Sequence, residues 1–318
     1  MMITENRRRT NKSVKTAPGV TRALDAGAPV VALESTVIAH GLPRPLNLQT
    51  ARACEAAVRE AGATPATVGI VEGVPVVGLD EAEIIAFSEG AGPGGRPIAK
   101  VGLNNLAAVI ANRGWGATTV AGTLRVASLA GLRVFATGGI GGVHRGAADS
   151  LDVSADLTAL ANIPLVCVCA GAKAILDLPK TVEYLETWGV PIVGYGSDEF
   201  PAFYSRASGL PVDSRVETPD EAAALAARHW ETGGTGAVLV CVPIPSEFEI
   251  ATEEVENAVC AAMASAARAQ VRGKAITPFL LSEMEKLTGG RTLEANRALL
   301  VNNARVAGQI SASLARQL

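Results

Sequence analysis

Two short apolar runs, each emptying into small residues and then into reactive side chains, constrain this chain more than any other feature. Residues 134–136 lead into Gly138, Gly139, Gly141 and Gly142, then into His144-Arg145-Gly146 and a carboxylate row at Asp149, Asp152 and Asp156. Residues 165–169 lead into Ala170-Gly171-Ala172 and a single lysine, Lys173. Uninterrupted apolar runs of this length suit strands buried on both faces, which demands helices above and below a sheet. Open sheets of that kind bind ligands at the carboxyl ends of their strands, where these reactive residues fall.

The remaining pattern agrees. Residues 29–33 and 237–242 read as further buried strands, and residues 67–71 and 74–77 pair around the Glu72-Gly73 turn. Helical spacing marks residues 48–61, 103–113, 124–130, 219–232, 253–270, 278–287 and 292–314. Residues 89–97 read as a Gly/Pro loop and 117–120 as a strand. Strands alternating with such helices predict an α/β fold, three-layer α/β/α around a central, mostly parallel sheet. No fixed-period repeat and no linker divides the chain, so residues 18–318 are expected to form one domain behind a frayed basic tail over residues 1–17.

Charge and cysteine usage narrow the function. A net charge of -3 supplies no basic patch for nucleic acid. The longest uncharged run, residues 157–172, contains Asn162 and Pro164 and falls short of the roughly 20 residues that cross a bilayer. Five cysteines form no CxxC pair, and Cys167 and Cys169 alternate in a strand-like run as small buried apolar residues. An odd cysteine count without a secretory signal points to the cytoplasm.

The chain has 21 Arg but only 7 Lys, so a lysine delivered by an apolar strand stands out. Desolvation at such a place exposes the neutral amine that attacks sugar carbonyls, although a snorkelling surface lysine has the same position. The glycine run is no dinucleotide fingerprint, because His144 stands where the third glycine is required. Asp152 has the spacing of a helix cap, with a hard oxygen ligand for a divalent ion as the alternative. Glu34 closes a buried strand, where apolar surroundings suit it to act as an acid. His40 reads as structural slightly ahead of catalytic.

Several long segments then resemble one family. ALESTVIAHGLP (32–43), GATTVAGT (116–123), FATGGIGGVHRG (135–146), DVSADL (152–157), CAGAKAILDLPKTVEYLET (169–187) and TPFLL (277–281) are similar, in the same order, to the pseudouridine-5'-phosphate glycosidases, which include the indigoidine synthase A proteins. The resemblance implies an α/β/α homotrimer that uses a divalent ion, usually Mn²⁺. The reaction it implies is reversible cleavage of pseudouridine 5'-phosphate to uracil and ribose 5-phosphate. It further implies Lys173 as Schiff-base nucleophile, Glu34 as proton donor, Asp156 as proton carrier and Asp152 as metal-side carboxylate. Lys100, His144 and Asn296 would contact phosphate and sugar, Ser154 and Ala155 would line the substrate, and Val120 would wall the pocket. The chain departs from the family pattern at Val101-Gly102-Leu103-Asn104-Asn105 and at Gly122. That departure keeps open a C-glycosynthase that joins ribose 5-phosphate to an aromatic polyketide acceptor instead of uracil.

Overall fold

The structure is a computed structural model and describes residues 13–271 and 276–317. Its strands are β1 (Lys15–Thr16), β2 (Val30–Leu33), β3 (Thr64–Val71), β4 (Val74–Val77), β5 (Ala91–Gly92), β6 (Arg96–Val101), β7 (Trp115–Thr118), β8 (Val134–Ala136), β9 (Val166–Cys169), β10 (Ile192–Tyr195), β11 (Ser214–Val216) and β12 (Val238–Cys241). Its α-helices are α1 (Pro18–Asp25), α2 (Leu46–Glu60), α3 (Glu81–Glu89), α4 (Leu106–Ala111), α5 (Val120–Leu129), α6 (Ala147–Ser150), α7 (Ala155–Asn162), α8 (Leu178–Thr187), α9 (Pro219–Glu231), α10 (Thr252–Arg268), α11 (Ile276–Leu287) and α12 (Arg291–Gln317).

Among the described residues the strands form one sheet in the order β11-β10-β12-β9-β8-β2-β3-β7-β6-β5, with β4 on β3 and β1 on β4. Every pairing from β11 through to β3 is parallel. The apolar runs explain why: β2, β8, β9 and β12 are buried at every position and need cover on both faces. The long α12 gives that cover on one side, packing against α2 and α9 and crossing β2, β8 and β9; α5 and α7 pack together on the other. The α/β expectation therefore holds, with one reversal. The second half of β3 outruns β2 and pairs antiparallel with both β4 and β7. Strands β7 and β6 consequently run against the main sheet.

Several boundaries differ from the sequence reading. Lys15–Thr16, assigned to the tail, pair with Val76–Val77, while tail residues 1–12 lie outside the described residues. Strand β6 occupies the end of the presumed Gly/Pro loop and the residues beyond it. The helix expected over 103–113 contracts to α4, because the Asn105 side chain folds back first. Its Oδ1 accepts from the Gly102 N–H at 2.9 Å and its Nδ2 donates to the Lys100 carbonyl at 3.0 Å. The strand expected at 117–120 ends at Thr118, and Val120 instead opens α5. The cysteine reading holds: Cys54, Cys167, Cys169 and Cys241 are free and buried.

Candidate active site

Glu34 follows the last residue of β2, and Thr137 follows the last residue of β8. The Thr137 hydroxyl donates to Glu34 Oε1. Helix α12 fixes this strand end from behind, where Asn303 Nδ2 donates to the Thr137 carbonyl at 2.9 Å. Beyond Thr137 the glycine loop runs beside the loop that follows β9. The Ile140 N–H donates to the Gly171 carbonyl and the Lys173 N–H donates to the Ile140 carbonyl, at 3.0 and 3.1 Å. Two adjacent strands thus hand their trailing loops to each other, and Lys173 is held at the junction.

One cleft, enclosing about 580 Å³, is lined by Glu34, His40, Lys100, Lys173, Phe203 and Asn296 among others. Of the residues singled out in the sequence, the fold therefore gathers Glu34, Lys100, Lys173 and Asn296. They come from four separate elements: the end of β2, β6, the loop after β9, and α12. Lys173 is half-buried and lines the cleft. Burial pushes the Glu34 carboxyl above its ordinary range, opposed by the Lys173 ammonium and the Thr137 hydroxyl. A carboxyl with raised proton affinity beside a primary amine has the chemistry of a general acid paired with a nucleophile.

His40 proves to line the cleft as well. It lies in a single π-helical turn, Val37–Gly41, that follows β2, and its imidazole stands near the backbone of Ile98 and Ala99 in β6. Desolvation and the nearby Lys100 ammonium hold it below its usual pKa. Phe203, unremarked in the sequence, lies in the wall with a left-handed backbone at φ 66°. A bulky residue there is strained, and such outliers gather at ligand sites. Sequence offered no signal for it, because neither periodicity nor charge marks that position.

The carboxylate row sorts differently. Asp156 is buried, its Oδ1 accepting from the Ala121 N–H at 2.9 Å and its Oδ2 from the Gly141 N–H at 2.8 Å. It ties the start of α5 to the glycine loop. A Cβ on Gly141 would meet Ser154 Oγ at 2.3 Å and Asp156 Oδ2 at 2.7 Å, so this bracing requires glycine. Val120 is buried beside it and lies outside the lining of the Glu34–Lys173 cleft. The cap assigned to Asp152 belongs to Ser154, whose Oγ accepts from the Asp156 N–H at 3.2 Å. Helix α7 begins only at Ala155, too late for Asp152 to reach its first free N–H groups.

Asp152 and Ala155 are exposed and His144 half-buried, away from the cleft lining. The His144 N–H donates to the Asp152 carbonyl at 3.0 Å, which keeps the imidazole and the carboxylate on neighbouring backbone. No cluster of three or more His, Cys, Asp or Glu side chains suited to an ion occurs among the described residues. One exposed carboxylate fits a hard divalent ion that keeps most of its water, and does not fit a closed protein cage.

The departures at residues 101–105 and at Gly122 also have a local account. A Cβ on Gly122 would stand 2.7 Å from the Val101 carbonyl oxygen, so α5 approaches the end of β6 through that glycine. Together with the Asn105 turn, this contact holds the backbone that carries Lys100.

Comparison with known proteins places the chain. It matches the profile of the family described as indigoidine synthase A like protein over residues 19–313. A pseudouridine-5'-phosphate glycosidase of Myxococcus xanthus is 53% identical over 297 residues, covering 93% of this chain and 97% of that protein. The prealnumycin C-glycosynthase AlnA, solved in complex with ribulose 5-phosphate, superposes with a TM-score of 0.88 at 40% identity, covering 96% of this chain and 98% of the other. An indigoidine synthase A-like protein of Thermotoga maritima superposes with a TM-score of 0.85 at 36% identity, covering 99% and 100%.

Proposed function

Because the chain belongs to the indigoidine synthase A-like family, with pseudouridine-5'-phosphate glycosidases among its relatives, we propose that it cleaves and forms the C–C glycosidic bond of pseudouridine 5'-phosphate. The observation that carries the reading is the meeting of a buried Glu34 carboxyl with Lys173 in one cleft. A carbon leaving group cannot be released by the two-carboxylate route of ordinary glycosidases, which relies on protonating a leaving oxygen. An amine on the sugar's first carbon provides the electron sink instead.

In the cleavage direction Glu34 gives its proton to the ring oxygen as the bond from that oxygen to C1' breaks. The Lys173 nitrogen forms its bond to C1'. A proton then goes to the uracil carbon, and the C1'–carbon bond breaks as the nitrogen lone pair makes the C=N bond of a Schiff base. Water adds to that bond, freeing Lys173 and ribose 5-phosphate. Asp156 serves as the proton carrier, and its two backbone hydrogen bonds fix where it stands. Lys100 and Asn296, both in the cleft, take the phosphate and hydroxyls; His144, Ser154, Ala155 and Val120, which lie outside the cleft lining, belong to the reading as the substrate's border only through the family resemblance.

Asp152 would hold the divalent ion, with Mn²⁺ as the expected metal. Such an ion supplies positive charge that offsets the phosphate and orders water. A homotrimer is part of the same reading, supported by Leu151 and Val153, apolar and exposed on either side of Asp152. No helix among the described residues is long and apolar enough to cross a membrane, in keeping with a small-molecule enzyme of the cytoplasm. Coupling to an aromatic polyketide is the weaker reading, since the solved glycosynthase is 40% identical and the Myxococcus glycosidase 53%.

The test is to incubate the protein with ribose 5-phosphate, Mn²⁺ and uracil, or separately with an aromatic polyketide, and to follow product by ultraviolet absorbance. Pseudouridine 5'-phosphate is the expected product. Coupling to the polyketide alone, or binding with no product, would overturn the assignment.

A further inference from the structure

Bordering Glu34 is a second and smaller cavity, not lined by Lys173, whose polar lining is Glu34, Thr50, Thr67 and Thr137, set among apolar side chains. Two of the three threonine hydroxyls are already committed. Thr137 donates to Glu34, and Thr67 donates to Glu55 Oε1 at 2.7 Å. Thr50 is different. It is 1% exposed in the middle of α2, and its Oγ1 is buried with no hydrogen-bond partner in the protein. A helical threonine usually donates to a carbonyl one turn back, and leaving a buried hydroxyl unsatisfied is costly. A cavity of this size has room for one ordered water where two to four polar groups border it, as Glu34, Thr50, Thr67 and Thr137 do here.

Resting on the reading of Glu34 as the acid, we propose that Thr50 anchors one water in this cavity, and that the water hydrogen-bonds to the Glu34 carboxyl and positions it. Thr50 Oγ1 donates to the water, the water donates to a Glu34 oxygen, and Thr67 Oγ1 has lone pairs free to accept the other water hydrogen. Thr137 and the water then hold the carboxyl between them, so that its proton-bearing oxygen keeps one direction toward the cleft. Thr50 is a positioning residue, since it meets no substrate.

Two measurements test this. In the pH profile of kcat/KM for pseudouridine 5'-phosphate cleavage, activity falls as pH rises through the Glu34 titration. Removing the water takes away a donor to the carboxylate, so in Thr50→Val that limb moves to higher pH by about half to one unit, while Thr50→Ser keeps the wild-type limb. A Thr50→Val limb that coincides with wild type, or a Thr50→Ser limb that moves as far as Thr50→Val, overturns the proposal. Thr50→Ala gives the same comparison if the valine variant fails to fold. In a high-resolution crystal structure of the wild-type protein, water density is expected within hydrogen-bond distance of Thr50 Oγ1, and it is expected to vanish in the valine variant. A dry cavity in the wild type overturns the proposal. Should the wild-type protein fail to cleave pseudouridine 5'-phosphate, the functional reading falls, and the crystallographic result still decides the water.

Discussion

The two shores of the candidate active site are held in opposite ways. On the strand side, Glu34 and Thr137 are buried at the ends of β2 and β8, locked to each other and to Asn303 of α12. On the loop side, Leu151 is 82% exposed and Asp152, Val153 and Ala155 stand exposed with it, the segment kept in line by backbone bonds and by the Ser150 and Ser154 hydroxyls. The chemistry assigned to each shore matches. Proton and amine transfer tolerate little displacement, so their groups sit where packing allows none. Holding a hydrated ion and a phosphate needs accessible oxygen and nitrogen, and those groups are left wet.

Mutation can break or sharpen that contrast. Lys173→Ala is expected to cost roughly 10⁴-fold or more in kcat, the scale of lost nucleophiles, and to abolish the borohydride-trapped adduct with ribose 5-phosphate in mass spectra. An active variant would remove the rigid shore from the mechanism. Glu34→Gln should lose about 10²–10⁴-fold in turnover, with circular dichroism unchanged. It should also change how stability varies with pH. The folded-state pKa of Glu34 is raised, so its favourable contribution is complete below the unfolded value and is lost as pH rises through the folded one. Glutamine cannot ionise, so the variant should gain thermal stability relative to wild type as pH rises above the ordinary carboxylate range; a difference that stays constant with pH would place Glu34 in water.

Smaller effects lie toward the loop. Gly141→Ala forces a methyl onto Ser154 and Asp156 and should cost about 1–3 kcal/mol, seen as a melting point several degrees lower. Asp152→Asn should leave stability within about 0.5 kcal/mol while Mn²⁺ affinity, measured by titration calorimetry, falls by at least about tenfold. Equal Mn²⁺ binding by that variant would dissolve the contrast from its wet side.

The same contrast governs what could be read in the sequence. Strands β2, β8, β9 and β12 were legible because burial on both faces leaves an unbroken apolar run, and Glu34 and Lys173 drew attention by standing where such runs stop. Strand β6 was hidden. It pairs with β7 and only two residues of β5, its burial is mixed, and a glycine-rich approach masks it, so Lys100 was named only through the family resemblance and had no element. Asn303 and Thr50 are polar residues inside helices, and a single sequence does not say which polar helical residue faces inward. The Asp152 cap failed by two residues, because Asp152, Ser154 and Asp156 all offer oxygens near the start of α7 and only geometry selects Ser154.

The widened turn after β2 has a consequence of its own. A π-helical turn is an α-helical turn carrying one surplus residue, and each residue swings a helix by roughly 100°. Deleting a single residue from Val37–Gly41 would return the backbone to ordinary pitch and swing His40 out of line with the cleft, leaving Glu34 before the turn untouched.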